Sequence, residues 1–430
     1  MKKRICFILM LALLLTGCQV SAPSAPSAPS AITIYYVEQE PLYKAAIEAY
    51  KTAHPNVIVT VDSFSSYDAM NRQMKTDTKQ GSEPDVILYN SLKSDIDPLD
   101  AMRSGAFYPI DQAATYVSDD LLSDVFLECG KYCGSQYLLP LSWNIMQCYG
   151  TERLVEENQY DLSDLYTVLL TEAERLSEDE TRCANTLQFL RADALNFMLE
   201  NMGVELTNGI TVTATYEAVQ AAAEFTKGFY DNITKVSAIT QKYSNDFLGV
   251  ASHVSFFIEN YSFMHNLRHY QSVFPEMIGE EMVFAPFYHR DGQGITAQII
   301  HYGAVSATTD NPRESQAFLE FLFRYPADMR FEKYGAGVYY APVSKTEYTA
   351  CVDALSTQAS VGPNMIVAPL QEANAEKLQE IADQVTQAVI PNPAIGAIVQ
   401  ESMEPYLRGQ ETFDVCFEVL FEKLTQYLSE

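Results

Sequence analysis

Residues 31–90 alternate between two hydrophobic periods, and this alternation constrains the fold more than any other feature of the sequence. Three short runs rich in β-branched and aromatic residues predict buried strands, namely ITIYYV, VIVTVD and DVILYN. The segments between them carry apolar residues at helical spacing and predict helices, the first beginning at Pro41 and the second ending at Gly81. Alternating strands and helices require right-handed crossovers, so we expect an α/β fold built on a largely parallel sheet.

The rest of the chain continues this mixture of elements. Helices are predicted over 163–176, over TATYEAVQAAAEFTKGFYDN, after Asn311 with Pro312 in first position, and from Glu411 to the end. VSFFIENYS predicts one strand, and EEMVFAPFYHRDGQGITAQIIHYGAVSA predicts two that are joined by a turn at 291–294. About 400 residues of this kind exceed what one simple core holds, so we expect two lobes.

The N-terminus has the layout of an export signal followed by an anchor. Three basic residues precede the apolar run Ile5–Leu15, which is too short to span a bilayer. Leu15-Thr16-Gly17-Cys18 resembles the lipobox of bacterial lipoproteins, in which the cysteine is acylated; an incidental cysteine in a secreted protein is the alternative. Three Ser-Ala-Pro repeats then predict an extended tether. We therefore expect a signal peptide over 1–17 and a lipid-anchored tether over 18–30.

Charge and cysteine content limit the partners and the chemistry. The formal net charge of −28 repels nucleic acid and disfavours anionic ligands. Cys129 and Cys133 are close enough in sequence to form a disulfide in an exported protein, but a chain of this length does not need disulfides, and free thiols among apolar residues are the other interpretation.

Signals for catalysis or metal binding are weak. The sequence contains no G-x-S-x-G, no phosphate-binding loop and no H-E-x-x-H. His265 and His269 have the spacing of two metal ligands on one helix face, but no third ligand accompanies them. DIDPLD, with Asp95, Asp97 and Asp100, lacks the glycine of a calcium loop and predicts an exposed turn and helix start. We therefore expect no enzyme, no metal and no cofactor.

Five segments follow one another along the chain: GSEPDVILYN, YLLPLSWNIMQCYGTERLVEE, IENYS, HYGAVSATTDNPRESQAFLEFLF and YLRGQETFDVCFEVLFEKLTQYL. In this order and at this spacing they resemble the extracellular solute-binding lipoproteins of ABC importers, particularly the maltose-type sugar-binding proteins. The resemblance covers nearly the whole chain after the tether. Two departures from the family pattern stand out: Gly150 replaces the usual asparagine, and the loop that usually carries G-x-W has Asn260 and Tyr261 instead.

This resemblance implies a two-lobed periplasmic-binding-protein fold of type II, each lobe a mainly parallel sheet flanked by helices. By analogy, one lobe takes residues 31–140 and 285–338, and the other takes 141–284 and 339–430. The implied protein is an extracytoplasmic monomer, lipid-anchored through Cys18, that captures a sugar or oligosaccharide between its lobes and delivers it to an ABC transporter permease. A sensor that signals to a membrane kinase, or a surface glycoside hydrolase, is the alternative.

Ligands of such sheets bind outside the carboxyl ends of the strands, so the loops there carry the candidate contacts. Neutral polyols need flat aromatic faces for their C–H groups, and amides or carboxylates for their hydroxyls. Each candidate could instead cap a turn or fill the core. The predicted ligand-binding residues are Glu38, Asn90, Trp143, Asn144, Asn260, Tyr261, Tyr339 and Tyr340.

Overall fold

The computed structural model describes residues 30–151, 162–187, 194–230, 233–242, 253–259, 282–325, 340–361 and 366–430, with residues 264, 267–268, 270–272, 275 and 279. The predicted signal peptide and tether, with Cys18, lie outside the described residues, as do His265 and His269. Among the helices that are described, none is long and apolar enough to cross a lipid bilayer.

The first sheet has seven strands and is mixed. Its order is β12, β6, β11, β3, β1, β2, and β15 pairs with β11 beyond the end of β3. The strands are β1 (Ala31–Val37), β2 (Ile58–Phe64), β3 (Val86–Asn90), β6 (Leu138–Asn144), β11 (Ile295–Val305), β12 (Ala341–Pro342) and β15 (Val385–Val389).

The three strands predicted from the opening alternation are confirmed. β1 pairs in parallel with both β2 and β3. The predicted turn at 291–294 is followed by β11, which runs antiparallel to both β3 and β6. The sheet is therefore mixed rather than mainly parallel, because its longest strand enters from the opposite direction.

Helices cover both faces of this sheet and complete the first core. Pro41 begins the first helix, in which Tyr43, Ile47 and Tyr50 are buried. Gly81, at φ 67°, ends the second helix, as expected. The helices packed on this core are α1 (Pro41–Ala53), α2 (Tyr67–Gln80), α3 (Pro98–Arg103), α4 (Asp111–Val117), α5 (Val125–Glu128), α10 (Pro312–Phe323), α11 (Lys345–Thr357) and α12 (Glu372–Asp383).

The second sheet has the order β10, β7, β9, β8, in which only β8 and β9 are parallel. Its strands are β7 (Gln147–Thr151), β8 (Cys183–Leu187), β9 (Val254–Glu259) and β10 (Met282–Pro286). The helices on this side are α6 (Leu162–Arg175), α7 (Ala194–Asn201), α8 (Tyr216–Tyr230), α9 (Ile233–Lys242), α13 (Pro393–Leu407) and α14 (Phe413–Ser429). Two short hairpins are β4 (Lys131–Tyr132) with β5 (Ser135–Gln136) and β13 (Ser360–Val361) with β14 (Ile366–Val367).

The two sheets define two lobes, as predicted. The first lobe is the seven-stranded sheet with its helices, and the second is the four-stranded sheet with the helices of the second core. The chain passes between them after β6, after β10 and after β15. The region 339–430 contributes to both, since β12 and β15 join the first sheet while α13 and α14 fill the second core.

The structure settles three local points, at Asn311, at the two cysteines and at Asp97. Asn311 precedes α10, but its side chain makes no capping hydrogen bond. Cys129 and Cys133 are not joined by a disulfide. The Cys129 thiol instead donates to the Phe126 carbonyl, and Cys133 is exposed. Asp97 does begin a helix, because its carboxylate accepts from the Asp100 N–H.

Candidate functional site

Buried polar side chains gather at the carboxyl ends of β1, β3 and β6, where the first sheet faces the crossings to the second lobe. Asn90, the last residue of β3, lies opposite His301 of β11. Glu40, in the short connection between β1 and α1, is only 4% exposed. A carboxylate buried to this extent needs charged or hydrogen-bonding partners, and the surrounding strands supply them.

Glu40 is the centre of a hydrogen-bond network. One carboxylate oxygen accepts from Lys93 Nζ at 2.7 Å and from Asn90 Nδ2 at 3.2 Å, and the other lies 3.0 Å from His301 Nε2. Burial alone would raise the pKa of Glu40, but the hydrogen bonds from His301 and Lys93 hold that pKa below its usual value. Glu40 is therefore kept as an anion.

His301 connects Glu40 to the neighbouring strand. Its Nδ1 lies 2.7 Å from the Ser142 hydroxyl of β6, and its ring is flanked edge-on by Tyr43 and Tyr340, each at 5.3 Å between centroids. With Nε2–H donating to Glu40, the Nδ1 atom accepts a hydrogen bond from the Ser142 hydroxyl. We name Glu40, Asn90, Lys93, Ser142 and His301 the strand-end network.

The order Ser142, His301, Glu40 matches that of a hydrolase triad, but its setting does not suit nucleophilic attack. Ser142 is 1% exposed and lies on a strand that is paired on both sides by β11 and β12. A nucleophile must reach the substrate, and this hydroxyl is enclosed by the sheet. The arrangement instead fixes the orientation of the Glu40 carboxylate.

Lys93 is the member of the strand-end network that reaches solvent. Its side chain is 50% exposed, whereas the Glu40 carboxylate that it contacts is 5% exposed. The ammonium has three N–H donors, and one of them is directed at Glu40. The network therefore presents hydrogen-bond donors outward from a site whose local charge is balanced.

A second polar cluster lies where the lobes meet. Gln298 of β11 donates to the Glu200 carboxylate of α7 at 2.8 Å, and the Thr296 hydroxyl contacts the Glu200 carbonyl at 2.8 Å. His289 Nε2 lies 2.9 Å from the same hydroxyl, and burial lowers the pKa of this imidazole. These contacts join the first sheet to a helix of the second lobe.

The structure brings two of the predicted ligand-binding residues to the strand-end network. Asn90 belongs to it, and the ring of Tyr340 contacts His301. Asn144, the last residue of β6, is buried and lies opposite Gln298 of β11. Glu38 lies apart, on an exposed loop, where it accepts from the Ser63 hydroxyl.

Trp143 faces the other side of the sheet. Its ring is fully buried against Phe126 and Tyr348, and its indole N–H donates to the Pro342 carbonyl at 2.9 Å. In the described structure the ring thus contacts the first core and not the strand-end network. Asn260, Tyr261 and Tyr339 lie outside the described residues.

Sequence reasoning missed Glu40, Lys93, Ser142 and His301. Glu40 and Lys93 follow strands β1 and β3 closely, so the rule that ligands bind at strand ends could have included them. His301 lies within a strand 211 residues away from Asn90 in sequence, and nothing local indicates that the two are neighbours.

No family model matches the sequence, and no curated protein matches it significantly. Solved structures match over nearly the whole chain. The sugar-binding protein MalE from Xanthomonas citri has a TM-score of 0.66 at 12% identity, covering 93% of this chain and 98% of its own. An extracellular solute-binding protein of family 1 from Alicyclobacillus acidocaldarius has a TM-score of 0.60 at 14% identity, covering 94% and 100%.

A third match is the galacto-N-biose- and lacto-N-biose I-binding protein of an ABC transporter from Bifidobacterium longum, solved in complex with lacto-N-biose. It has a TM-score of 0.60 at 13% identity and covers 94% of this chain and 99% of its own. At these identities the likeness is one of fold. The resemblance predicted from the sequence motifs is confirmed at that level: the chain has the two-lobed α/β fold of extracellular solute-binding proteins.

Proposed function

We propose that this chain is a solute-binding protein that captures a carbohydrate between its lobes and delivers it to an ABC importer. The observation that carries the proposal is the strand-end network, a built polar site at the carboxyl ends of β1 and β3. This is where α/β sheets bind their ligands. The folds that match belong to proteins whose names describe sugar binding or solute binding.

Charge and shape favour a neutral polyol as the solute. Glu40 and Lys93 neutralise each other, so the site carries no net charge for an ionic ligand. The outward N–H groups of Lys93 suit hydroxyl oxygens, and the network also has an aromatic neighbour, the ring of Tyr340, which contacts His301. The acidic chain as a whole also disfavours anions.

The remaining parts of this proposal come from the sequence. Cys18 would carry the lipid that holds the protein outside the cell membrane, and the Ser-Ala-Pro tether would lift the lobes above it. We also propose that the three remaining predicted residues contact the solute, namely Asn260, Tyr261 and Tyr339. Capture would then be a shift between open and closed lobes, without any bond of the solute being made or broken.

Thermal unfolding in the presence of candidate solutes tests the proposal. We expect a mono- or oligosaccharide from a panel to raise the Tm of the purified chain in a concentration-dependent way, because a ligand of the folded state stabilises it by mass action. Dipeptides and polyamines, as further arms of the panel, should leave the Tm unchanged.

A substitution at the strand-end network ties the binding to this site. Lys93→Met should weaken the affinity for the stabilising sugar at least about tenfold, since hydrogen bonds from charged groups contribute about 1.5–3 kcal/mol. Lys79→Met, on the exposed face of α2, is the matched control and should bind normally. A chain that no sugar stabilises, or a Lys93→Met variant with unchanged affinity, would contradict the proposal.

A further inference from the structure

A cavity of about 540 Å³ lies between the two lobes. The first lobe contributes Leu99 of α3 and Val125 of α5, and the second lobe contributes Leu199 of α7. Residues 386–389 of β15, the last strand before the chain returns to the second lobe, also line it. Small-molecule sites have volumes of about 300–1,000 Å³, so the cavity is large enough for a ligand that contacts both lobes.

The cavity is separate from the strand-end network. None of the five network residues is among the described residues that line it. Glu200 connects the cavity instead to the second polar cluster, where Gln298 donates to this carboxylate at 2.8 Å. The cavity therefore has its own set of side chains and does not repeat the proposed solute site.

Apolar side chains that are not fully buried line the cavity from both lobes. Leu99, Val125 and Val204 are each partly buried. Ile210, in the loop 207–212, is 62% exposed. Removing such surface from water is favourable in proportion to the apolar area that is covered. These side chains therefore favour an apolar ligand.

The charged groups of the cavity disfavour an anion. Among the described lining residues, three carry a carboxylate and one carries an ammonium, namely Glu128, Glu200, Glu205 and Lys131. Lys131 is paired with Glu128, and Glu205 accepts from Gln387 Nε2 at 3.3 Å. The cavity thus has a surplus of negative charge and of oxygens that accept hydrogen bonds, which suits a ligand with an N–H or O–H donor.

We propose that this cavity binds a small apolar molecule that carries a hydrogen-bond donor and no negative charge. Such a molecule contacts both lobes and β15 at once, at a site distinct from the strand-end network. The inference goes beyond the proposed function, because it concerns another cavity and another class of ligand, and it holds whether or not a sugar binds.

Two dyes that share one ring system test the class of ligand. N-phenyl-1-naphthylamine is neutral and apolar and carries one N–H, whereas 8-anilinonaphthalene-1-sulfonate adds a sulfonate. The protein is the full chain with Cys18→Ser, which prevents lipidation. We expect the neutral dye to give a saturable increase in fluorescence with one dye bound per chain. The sulfonate should bind at least about tenfold more weakly, because the lining carboxylates repel it.

Cys133 shows where the neutral dye binds. This residue lines the cavity, and it is the exposed cysteine among those that the structure describes. A bound dye covers the thiol, so the dye should slow the alkylation of Cys133 by N-ethylmaleimide in proportion to the occupied fraction. Mass spectrometry of the alkylated peptides measures this protection.

Two exposed isoleucines provide matched variants. Ile210→Gln removes an apolar side chain from the cavity, and Ile58→Gln makes the same change on β2, where Ile58 is 54% exposed. We expect the first variant to weaken binding of the neutral dye about five- to tenfold, because less apolar area is covered, and the second to leave binding unchanged. Thermal unfolding shows whether each variant is folded.

No saturable binding of the neutral dye, or equal affinity for the sulfonate, would overturn the proposal. Dye binding that neither protects Cys133 nor responds to Ile210→Gln would overturn it as well. Competitive displacement of the dye by a sugar that raises the Tm would place both ligands in one site and contradict the separate cavity. Sugar binding without dye binding would leave the proposed function standing without this inference, and dye binding without sugar binding would do the reverse.

Discussion

At the scale of single residues, Glu40 is a carboxylate that the fold buries and keeps charged. Hydrogen bonds from His301 and Lys93 outweigh the effect of burial, so the folded-state pKa lies below the usual 4.5. The unfolded chain therefore takes up a proton at this site before the folded chain does as the pH falls. The stability that this site contributes is fully present above about pH 4.5 and is lost as the pH falls through the folded pKa.

The variant Glu40→Gln should reveal this dependence. At pH 7 we expect the free energy of unfolding to drop by about 1–3 kcal/mol, because Lys93 and His301 lose a charged acceptor. Below about pH 4.5, the difference between the two proteins should shrink, because the unfolded chain takes up its proton at this site first. Urea unfolding of both proteins from pH 7 down to pH 3.5 measures that difference while the titration of other acids cancels. A difference that does not vary with pH would contradict the charged state of Glu40.

The same scale shows why some site residues could be predicted from the sequence and others could not. Asn90 could be predicted as a ligand contact because it ends DVILYN, a run whose composition clearly indicates a strand. The polar residues that flank Trp143 favour a contact with the ligand, yet in a strand those neighbours point to the opposite face, as Ser142 does. His301 depends on the pairing of β11 with β3 and β6, which local sequence does not determine.

At the scale of elements, the start of α11 connects two separate parts of the first lobe. Ser344 caps this helix by accepting from the Glu347 N–H, and it donates to the Asp120 carboxylate at 2.7 Å. Asp120 also accepts from the Thr346 N–H and hydroxyl. Burial raises the pKa of Asp120, but these hydrogen bonds outweigh it and lower that pKa overall.

Ser344→Ala should therefore cost more than the loss of an ordinary cap. We expect about 2–3 kcal/mol, since the substitution removes both the cap and a hydrogen bond to a charged acceptor. Ser66→Ala is the matched control: Ser66 caps α2 by accepting from Ala69, but the cap is exposed, so about 1 kcal/mol is expected. Equal losses in urea unfolding would show that the contact with Asp120 contributes nothing.

Local sequence predicted elements better than it predicted their partners. The helix of Pro41 and the helix that ends at Gly81 follow from period and capping chemistry alone. The two-residue strand β12 and the strand β15 join the first sheet, although the resemblance assigned 339–430 to the other lobe. Short strands have too few residues to indicate which sheet they complete.

At the scale of the whole molecule, the second sheet lies between the two cores and contributes side chains to both. Tyr149 and Phe284 lie on one of its faces and pack into the first core, which also contains Trp143. Cys148 and Ala285 point the other way, into the second core with α13 and α14. Because one sheet belongs to both cores and the described elements pass from one sheet to the other after β6, β10 and β15, loosening one core should expose the other.

A substitution in the second core, read by a probe in the first, tests this coupling. Leu420 of α14 is fully buried in the second core, and Leu420→Ala should lower the free energy of unfolding by about 2–5 kcal/mol. Trp143 is the single tryptophan, so its fluorescence reports the first core alone. If the second sheet couples the lobes, the urea midpoints from Trp143 fluorescence and from far-UV circular dichroism should fall together. A fluorescence midpoint that stays in place while part of the dichroism signal is lost earlier would mean that the lobes unfold independently. In that case the segments that cross between the lobes would act only as flexible connections, and the second sheet would stabilise each core separately.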